Sequence, residues 1–313
     1  MKNRFALILV TLLLPAVILV IPSCDIDGDL AECPYNVKLE YWYNTGGSAN
    51  RLTDYIGCVD GYVFDSEGIL CAINRATGKD AIYGELNLAP GDYTIVSWGN
   101  RDTTSRIYPD ARIGESRLRD MQLRLDNPYT AVRSTDVFHH VAEKLYYNYL
   151  EVNVSGRGVT REYARMSHAH CRLNLTVVWK YSPPENTDDF SFCLSGVPQR
   201  YAFCASGNFP GIEPERTGIR REAKMSIVRS LSGELVCYRL TNNDHPLFSV
   251  YRGEEPLLED LDLWKFFTTM HIDLDNNQRQ EFDLKVEIDG AGVYISTLSA
   301  GDWEDGGEVD GVM

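Results

Sequence analysis

The stretch MSHAHCRLNLTVVW, residues 166–179, decides the fold predicted from this sequence. Its apolar and polar residues alternate with a period of two, as in a strand that has one buried and one solvent-facing side. The apolar face consists of Ala169, Cys171, Leu173, Leu175, Val177 and Trp179. The opposite face consists of His168, His170, Arg172, Asn174 and Thr176, and we expect it to be solvated. The stretch therefore predicts one long strand that packs a single face against a core.

Similar alternation recurs on both sides of this strand. The further strands are predicted at 37–43, 58–64, 69–73, 82–88, 93–98, 121–125, 150–154, 190–194, 201–204, 225–231, 235–240, 247–251, 282–288 and 293–298. Pro90-Gly91 separates two of them as a turn, because proline fixes φ and glycine accepts a positive φ. Only 257–264 and 137–147 show helical spacing. Many short strands with frequent turns predict a mainly β protein built from β-sandwiches.

The length and one composition shift predict the domain organisation. A chain of 313 residues is longer than one hydrophobic core usually serves, so we expect two domains. The run Ser155-Gly156-Arg157-Gly158 is the best boundary. We predict an acidic tether at 24–35, an N-terminal β-sandwich at 36–160, a C-terminal β-sandwich at 161–303 and an acidic tail at 304–313.

The first residues have the layout of an export signal. Lys2 and Arg4 precede the apolar run 5–21, and Pro22-Ser23-Cys24 follows. A basic start, an apolar centre and a small residue before the cleavage point are typical of secretory signal peptides. Because a cysteine would be the first mature residue, the segment resembles a bacterial lipoprotein signal with residues 21–24 as the lipobox. The resemblance implies that residues 1–23 are removed and that Cys24 carries a lipid.

A retained transmembrane helix is the alternative for the same segment. The apolar run 5–21 is at the short end of the ~17–25 residues that a membrane-spanning helix needs. Pro15 interrupts the run, and Asp25, Asp27 and Asp29 follow it in place of a basic stop-transfer cluster. We therefore expect cleavage before Cys24.

The charge balance restricts the partners. The whole chain carries −15, and loss of residues 1–23 removes Lys2 and Arg4 but no acid, which gives −17. Such a chain repels nucleic acids and anionic lipid head groups, so we expect no nucleic-acid partner. Attachment to a membrane would then depend on the lipid at Cys24 and not on a basic patch.

The cysteines do not form a disulfide scaffold. Lipidation of Cys24 leaves an odd number of thiols, which cannot all pair within one chain. They are Cys33, Cys58, Cys71, Cys171, Cys193, Cys204 and Cys237. We expect most of them to be small buried residues, and the sequence leaves open which pair, if any, forms a bridge.

No catalytic or cofactor-binding pattern stands out. His168 and His170 lie two apart on one strand face, and His139, His140 and Glu143 could add metal ligands, but spacing places no third ligand beside the pair. We therefore predict no metal site. The acidic runs 25–36 and 273–284 both fail the calcium-loop pattern. Glycine-rich phosphate loops and hydrolase motifs are absent from the sequence, so we expect no cofactor, no catalytic residues and a non-enzymatic role.

Several stretches together resemble a known family. They are the segment from Cys24 to Cys33-Pro34, NVKLEY at 36–41, DGYVFDSEG at 60–68, LAPGDYTIVSWGN at 88–100, and the long strand at 166–179 that opens the second half. They resemble the FimB/Mfa-type fimbrial anchoring subunits of type V pili in Bacteroides-like bacteria. The resemblance implies two transthyretin-like β-sandwich domains in tandem. It also implies a surface-exposed lipoprotein that anchors or joins a fimbrium (pilus) to the outer membrane by β-strand pairing with pilin subunits.

Two further expectations accompany this resemblance. Stalk-type relatives are matured by proteolysis after a basic residue near the N-terminus, and Arg51 is where such a cut would fall here. An anchor should keep the first strand, because the lipid lies on the far side of that cut. The alternative function is a glycan-binding surface lipoprotein of a nutrient-uptake system, in which tyrosine and tryptophan stack on sugars. An open sheet edge would favour the anchor, and an exposed aromatic platform would favour the alternative.

Overall fold

A computed structural model of the chain describes residues 35–45, 47–129, 138–185, 189–226, 230–290, 292–298 and 309–311. Cys24, Cys33, the predicted signal peptide and nearly all of the predicted tether lie outside these residues. The described strands form five sheets with two short α-helices, α1 (Leu52–Tyr55) and α2 (Leu263–Thr269), and two 3-10 turns, Gly78–Ile82 and Leu118–Asp120. The prediction of a mainly β protein is confirmed.

Three sheets are stacked in the first half of the chain. The outer sheet consists, in spatial order, of β11 (Thr160–Arg165), β1 (Val37–Trp42) and β4 (Tyr83–Leu86). The central sheet consists of β12 (Ser167–His168), β10 (Tyr146–Val154), β5 (Gly91–Gly99), β2 (Cys58–Phe64) and β3 (Leu70–Thr77). The bridging sheet consists of β16 (Phe209–Ile212), β15 (Arg200–Ser206), β7 (Gln122–Leu125) and β6 (Ser105–Tyr108).

Two larger sheets follow in the second half. The front sheet consists of β18 (Lys224–Met225), β19 (Ser230–Tyr238), β13 (His170–Trp179), β22 (Gln280–Ile288), β23 (Val293–Thr297) and β24 (Val309–Gly311). The back sheet consists of β21 (Glu255–Asp262), β20 (Leu247–Arg252), β14 (Phe190–Pro198), β17 (Arg216–Glu222), β9 (Phe138–His139) and β8 (Pro128–Tyr129). Leu173, Leu175 and Val177 of the front sheet share one core with Phe192 and Phe248 of the back sheet, which is a β-sandwich.

The central sheet is buried on both faces, because successive side chains along each strand project to opposite sides and each side packs against another sheet. Val59, Val63 and Ile95 project to one side and share a core with Val37 and Leu39 of the outer sheet. The residues that alternate with them project to the other side and share a core with the bridging sheet. A strand covered twice reads as a nearly continuous buried run, as in β2, where every residue after Cys58 is buried.

The two halves exchange strands. β15 comes from the second half but pairs with β7 from the first, and β16 and β6 flank this pair. In return, β8 and β9 from the first half join the back sheet, where β9 pairs with β17. Val309–Gly311, within the predicted acidic tail, forms β24 beside β23. The limits 36–160 and 161–303 therefore remain a proposal for the domain borders.

The strand predicted at 166–179 is divided. Ser167 and His168 belong to the central sheet, whereas His170 to Trp179 belongs to the front sheet, so the chain crosses between sheets at Ala169. The predicted apolar face is confirmed from Ala169 to Val177, where each of its residues is 0 % exposed. The opposite face is solvated only from Arg172 onward. The expectation that His168 and His170 are solvated is wrong, because the crossing places them between sheets at 2 % and 0 % exposure.

Both predicted helices are wrong. Leu257 and Leu261 lie in β21, whose irregular pairing with β20 brings apolar residues inward at uneven intervals. A helix begins only at Leu263, capped by the Asp262 carboxylate, which accepts hydrogen bonds from the Trp264 and Lys265 amides. The described part of 137–147 contains β9 and the start of β10, because strand pairing overrides the weak helical spacing there.

Candidate functional site

No helix among the described residues is long and apolar enough to span a bilayer. The predicted lipid attachment point, Cys24, lies outside the described residues, so lipidation stays a prediction. The described residues instead contain three features with functional potential, which are a free strand edge, an exposed aromatic face and a buried polar cluster.

β3 offers a free backbone edge. It pairs antiparallel with β2 from Cys58↔Thr77 to Phe64↔Leu70. On its other side the Leu70 backbone is hydrogen-bonded to Gly114 and Ser116, and no described strand pairs with residues 71–77. Seven of its eight residues are at least partly exposed, and the large apolar side chain of Ile73 is 43 % exposed. An exposed, regular strand edge is a template for adding an extended segment from a partner.

β21 is an edge strand of equal length, but it is protected. Its pairing with β20 shifts register twice, and Asp260 adopts a left-handed conformation with φ of 50°. Glu255, Pro256 and Glu259 are exposed along it. Bulges, proline and charge all discourage the addition of another strand. β3 carries no proline and one register shift at its first residue, so it is the better acceptor of the two.

An aromatic face covers the outside of the outer sheet. Tyr163 in β11 and Tyr83 in β4 are both in register with Glu40 of β1, and they are 62 % and 43 % exposed. Because they lie one strand to either side of β1, their backbone positions are about 10 Å apart. Lys38 Nζ lies 4.1 Å from the centroid of the Tyr83 ring. Trp42 contacts Tyr163 edge-to-face with ring centroids 6.3 Å apart. The arrangement resembles a platform on which flat sugar faces could stack.

An acidic groove lies beside the turn between β2 and β3. Asp65, Glu67, Asp92 and Glu151 are among its lining residues. Asp65 accepts hydrogen bonds from two backbone amides of its own turn, and Asp92 accepts one from Asn153 at 2.6 Å. These two carboxylates therefore stabilise the local fold, and we propose no enzymatic role for the groove.

The buried polar cluster surrounds the chain crossing at Ala169, and we call it the imidazole cluster. It consists of Tyr43, Tyr146, His168, His170 and Glu281. The two imidazole rings stack with centroids 4.5 Å apart at an interplanar angle of 23°. Tyr43 Oη lies 2.6 Å from His168 Nε2, and His170 Nδ1 donates to the Leu145 carbonyl at 2.8 Å. Each ring thus has one nitrogen fixed by a neighbour.

The other two ring nitrogens are left without a hydrogen bond. Neither His168 Nδ1 nor His170 Nε2 has a hydrogen-bond partner within the described part of the chain. The nearest anion, Glu281 Oε1, lies 3.9 Å from His170 Nε2, which is too far for a hydrogen bond. Unpaired buried nitrogens of this kind are costly, so the cluster is an incompletely satisfied part of the described core.

Burial keeps the His168 imidazole neutral, and the groups around Glu281 keep its carboxylate ionised. Burial, and then the neighbouring His170, lower the pKa of His168 to about 3. Burial raises the pKa of Glu281, but His170 and the guanidinium groups of Arg279 and Arg172 outweigh that effect and lower it to about 2. Arg279 holds Glu281 Oε2 at 2.6 Å, while Oε1 faces His170.

Among the described residues, the imidazole cluster is the group of side chains with suitable ligand atoms for a metal ion. One nitrogen of each histidine and one oxygen of Glu281 lie within 4.8 Å of one another. Sequence spacing could not place Glu281 there, because β22 reaches β13 only through parallel pairing from a distant part of the chain. Sequence spacing also could not place Tyr43 there, because it too comes from a distant part of the chain. Two arginines already neutralise Glu281, and stacked rings do not aim their lone pairs at one point, so the absence of a metal site remains our prediction.

The other predicted candidates, His139, His140 and Glu143, do not converge. His139 is buried beside Gln199, and His140 is exposed. Glu143 accepts hydrogen bonds from the backbone amides of Asp102, Thr104 and Ser105. Its pKa, which burial alone would raise, is lowered by the hydrogen bonds from Ser105 and Thr104. Glu143 therefore fixes a loop and leaves no ligand for the histidines.

A second group of buried rings, the aromatic junction, lies where the central and bridging sheets meet. It consists of Trp98, Tyr147, Tyr201, Phe203 and Tyr238, which are all 0 % exposed. Each tyrosine hydroxyl has a partner. Tyr147 donates to the Phe203 carbonyl at 2.6 Å, Tyr201 to the Ala169 carbonyl at 2.7 Å, and Tyr238 to Ser105 Oγ at 3.1 Å.

Comparison with protein families gives one match over most of the chain. Residues 30–304 match the model of the fimbrillin-A associated anchor proteins Mfa1 and Mfa2. No curated protein sequence matches the chain significantly.

Solved structures share the fold at low sequence identity. The fimbrial anchor protein Mfa2 from Porphyromonas gingivalis is 17 % identical with a TM-score of 0.57, and the match covers 89 % of this chain and 95 % of that one. A candidate adhesin from Bacteroides thetaiotaomicron is 16 % identical with a TM-score of 0.64, covering 86 % and 98 %. A candidate polysaccharide-binding protein from the same species is 12 % identical with a TM-score of 0.65, covering 85 % and 99 %.

Proposed function

The chain belongs to the family of fimbrillin-A associated anchor proteins, and from that membership we propose that it is a surface lipoprotein that holds a fimbrium at the outer membrane. Lipid at Cys24 would fix the N-terminus in the membrane, and the tether would give the folded part its reach. A fimbrial subunit would pair with the folded part by adding a strand. The role is structural and needs neither a catalytic group nor a cofactor.

The free edge of β3 is the observation that carries the strand-pairing proposal. A partner strand added there would extend the central sheet through main-chain hydrogen bonds, and side chains on alternate positions would set its register. Ile73 supplies the exposed apolar contact at the middle of this edge. The contrast with β21, which has the same length but is protected, supports β3 as the acceptor.

Substitution of Ile73 by lysine tests this proposal. A lysine on an edge strand discourages further pairing while leaving the paired side intact. We expect Ile73→Lys to lower the amount of fimbrial subunit that copurifies with the protein by about tenfold, which corresponds to about 1.4 kcal/mol. Ile113→Lys is the matched control, because Ile113 is 60 % exposed but lies outside the strands. Equal recovery with both variants would exclude the β3 edge.

Retention of β1 distinguishes an anchor from a polymerising subunit. β1 is the middle strand of the outer sheet, so its loss would leave β4 and β11 unpaired and uncover the core beneath them. Arg51 follows β1 in an exposed segment, where a protease could reach it. We expect protein from mature cells to remain one piece starting at Cys24. A stable fragment starting near Leu52 and built into the shaft would instead identify a polymerising subunit.

Lipidation can be tested by itself. We expect the intact protein to take up labelled palmitate and Cys24→Ala to yield an unprocessed or released chain. If the variant still fractionates with the outer membrane and the intact protein takes up no label, the lipoprotein proposal is wrong, whatever the result at β3.

The aromatic face favours the second candidate function, glycan binding for a nutrient-uptake system. Tyr83 and Tyr163 are exposed at a spacing that suits sugar stacking. Under this alternative, Tyr163→Ala would abolish binding to a glycan array, and Tyr181→Ala, at a similarly exposed tyrosine, would not. Copurification with a glycan transporter in place of fimbrial subunits would decide for this role.

A further inference from the structure

Cys171 and Cys237 lie face to face in the front sheet. They are directly opposite partners in the antiparallel pairing of β13 with β19. Opposite residues on antiparallel strands project from the same face, with Cα atoms about 4.5–5.5 Å apart. That spacing falls within the range of about 4.4–6.8 Å that a disulfide bridges. The Cys171 side chain is also the largest influence on the Cys237 thiol, whose pKa it raises, which agrees with the two side chains being neighbours.

The pair is enclosed in the core of the second sandwich. Cys171 and Cys237 are 0 % and 1 % exposed, and both belong to the core shared by the front and back sheets. The neighbouring Cys171 side chain and then burial raise the pKa of Cys237 well above its usual value, so a folded chain offers little thiolate for exchange. A bridge made before the core closes would therefore be shielded from soluble reductants afterwards.

Other described cysteines lack such an arrangement. Cys58 is opposite Thr77, and Cys193 is opposite Arg220 on one side and Ser249 on the other. The Cys71 thiol donates to the Val63 carbonyl. Within the described sheets, it is thus the pairing of β13 with β19 that places two cysteines directly opposite each other.

We propose that Cys171 and Cys237 become linked by a disulfide bond as the chain folds outside the cytoplasm. The proposal rests on the export assumed in the proposed function, because only an oxidising compartment supplies suitable disulfide donors. One protein thiolate attacks the donor disulfide, and the second thiolate displaces the remaining donor thiol from the mixed disulfide. Two protein thiols lose two protons and two electrons, and the donor, an oxidoreductase or small-molecule disulfide, becomes two thiols.

Such a bridge has a clear structural role. It joins the neighbouring strands β13 and β19 of the front sheet and closes the long loop that contains the whole of β14 to β18. Cross-linking distant residues stabilises a fold mainly by restricting the unfolded chain. The second sandwich would then stay folded on the cell surface even though it shares strands with the first.

Peptide mapping tests the proposal on the full chain extracted from the cell envelope. Free thiols are blocked under denaturing conditions without reductant before digestion. We expect a linked pair of peptides containing Cys171 and Cys237, whereas Cys58, Cys71, Cys193 and Cys204 carry the blocking group. Blocking of both Cys171 and Cys237 in envelope material would overturn the proposal.

A stability comparison provides a second readout. We expect refolding in reductant to lower the melting temperature of the wild-type chain by about 5–10 °C relative to refolding with oxidised glutathione. Cys193→Ala, at a buried thiol outside the pair, should keep this difference, and Cys171→Ala/Cys237→Ala should lose it. A difference that persists in the double variant would overturn the proposal. Recovery of the chain from the cytoplasm would count against the proposed function, while the refolding comparison would still decide whether these two residues form the bridge.

Discussion

The aromatic junction and the imidazole cluster lie on either side of Ala169, yet they differ in how completely their polar groups are satisfied. In the aromatic junction, Tyr147, Tyr201 and Tyr238 each donate a hydrogen bond at 2.6–3.1 Å. In the imidazole cluster, His168 and His170 each keep one nitrogen without a partner among the described side chains and backbone. Within the described residues, the junction pairs all three of its tyrosine hydroxyls and leaves one nitrogen, Trp98 Nε1, without a partner, whereas both histidines of the cluster keep an unpaired nitrogen.

The two regions differ because they have different roles in the fold. The aromatic junction joins the central and bridging sheets, and its rings stack on one another at centroid distances of 4.4–5.9 Å. The imidazole cluster only lines the point where the chain leaves β12 and enters β13. We therefore expect substitutions in the junction to be costly and substitutions in the cluster to be nearly neutral unless they change its protonation.

Trp98→Ala should produce the largest loss. Trp98 is 0 % exposed and stacks on Tyr201, so its removal leaves a cavity between two sheets. We expect the free energy of unfolding in urea to fall by about 3–5 kcal/mol. Trp42→Ala, which removes the same ring from the outer face, should cost less than about 1 kcal/mol. Similar losses at both positions would mean that the aromatic junction is not the main support of the fold.

Acidification should act through the imidazole cluster. The folded-state pKa of His168 is about 3 against an ordinary value of 6.5, so the unfolded chain binds a proton that the folded chain does not. Stability is therefore full above pH 6.5 and declines as the pH falls toward 3. Between pH 7 and pH 5 we expect a loss of about 2 kcal/mol from this residue.

The range from pH 7 to pH 5 separates His168 from Glu281, while His139, whose pKa burial also lowers, acts in the same direction as His168. Glu281, with a pKa lowered to about 2, contributes stability that is lost only as the pH falls below its ordinary value near 4.5. His168→Asn should remove the His168 share of the pH dependence between pH 7 and pH 5, about 2 kcal/mol, and His140→Asn, at an exposed histidine, should leave that share unchanged. An identical slope in the His168 variant would show that another group titrates.

The contrast between the two regions also explains what the sequence could reveal. Period-two alternation identified β1, β13 and β22 because each packs one apolar face against a core. The family resemblance rested on such strands and their turns, and family membership is confirmed. Alternation within one segment is a local property, so it can be seen without knowledge of the fold.

The imidazole cluster could not be recognised in the same way. Alternation placed His168 and His170 on a solvated face, but it carries no signal for a strand that changes sheets at Ala169. The partners Tyr43 and Glu281 come from β1's end and from β22, and only the parallel pairing of β13 with β22 brings Glu281 near. Glycine, proline or asparagine at the crossing would have indicated a break in the strand, but the residue there is Ala169.

Tyr201→Phe tests whether satisfied hydroxyls matter in the aromatic junction. The Tyr201 hydroxyl donates to the Ala169 carbonyl and accepts from the Arg239 amide, so its loss leaves two buried backbone groups unpaired. We expect a loss of about 1–2 kcal/mol in urea unfolding. Tyr181→Phe, at a residue 64 % exposed, should have no measurable effect. A neutral Tyr201→Phe would remove the distinction between the two regions.

Replacing polar groups in the imidazole cluster by rings of similar shape should cost little. Tyr43→Phe/His168→Phe removes both members of the hydrogen bond at 2.6 Å together with the unpaired Nδ1 atom. Removal of both partners of a buried hydrogen bond is often nearly neutral, so we expect a change within about 1 kcal/mol at pH 7. The single variant His168→Phe should be worse, because it leaves the Tyr43 hydroxyl unpaired. A loss above about 2 kcal/mol in the double variant would show that the cluster supports the fold as strongly as the aromatic junction does.

The smallest expected effect is that of zinc on the imidazole cluster. A zinc ion would need both imidazoles and Glu281 to turn toward one point, but the rings are stacked at 23°, and Arg279 and Arg172 already neutralise the carboxylate. We expect elemental analysis of the dialysed protein to find far less than one zinc per chain, and added zinc to leave the melting temperature unchanged. His140→Ala controls for binding at an exposed imidazole. Stoichiometric zinc that is lost in His168→Ala/His170→Ala would mean that the unpaired nitrogens are ligands, and the cluster would then be a binding site and not a tolerated cost of the chain crossing.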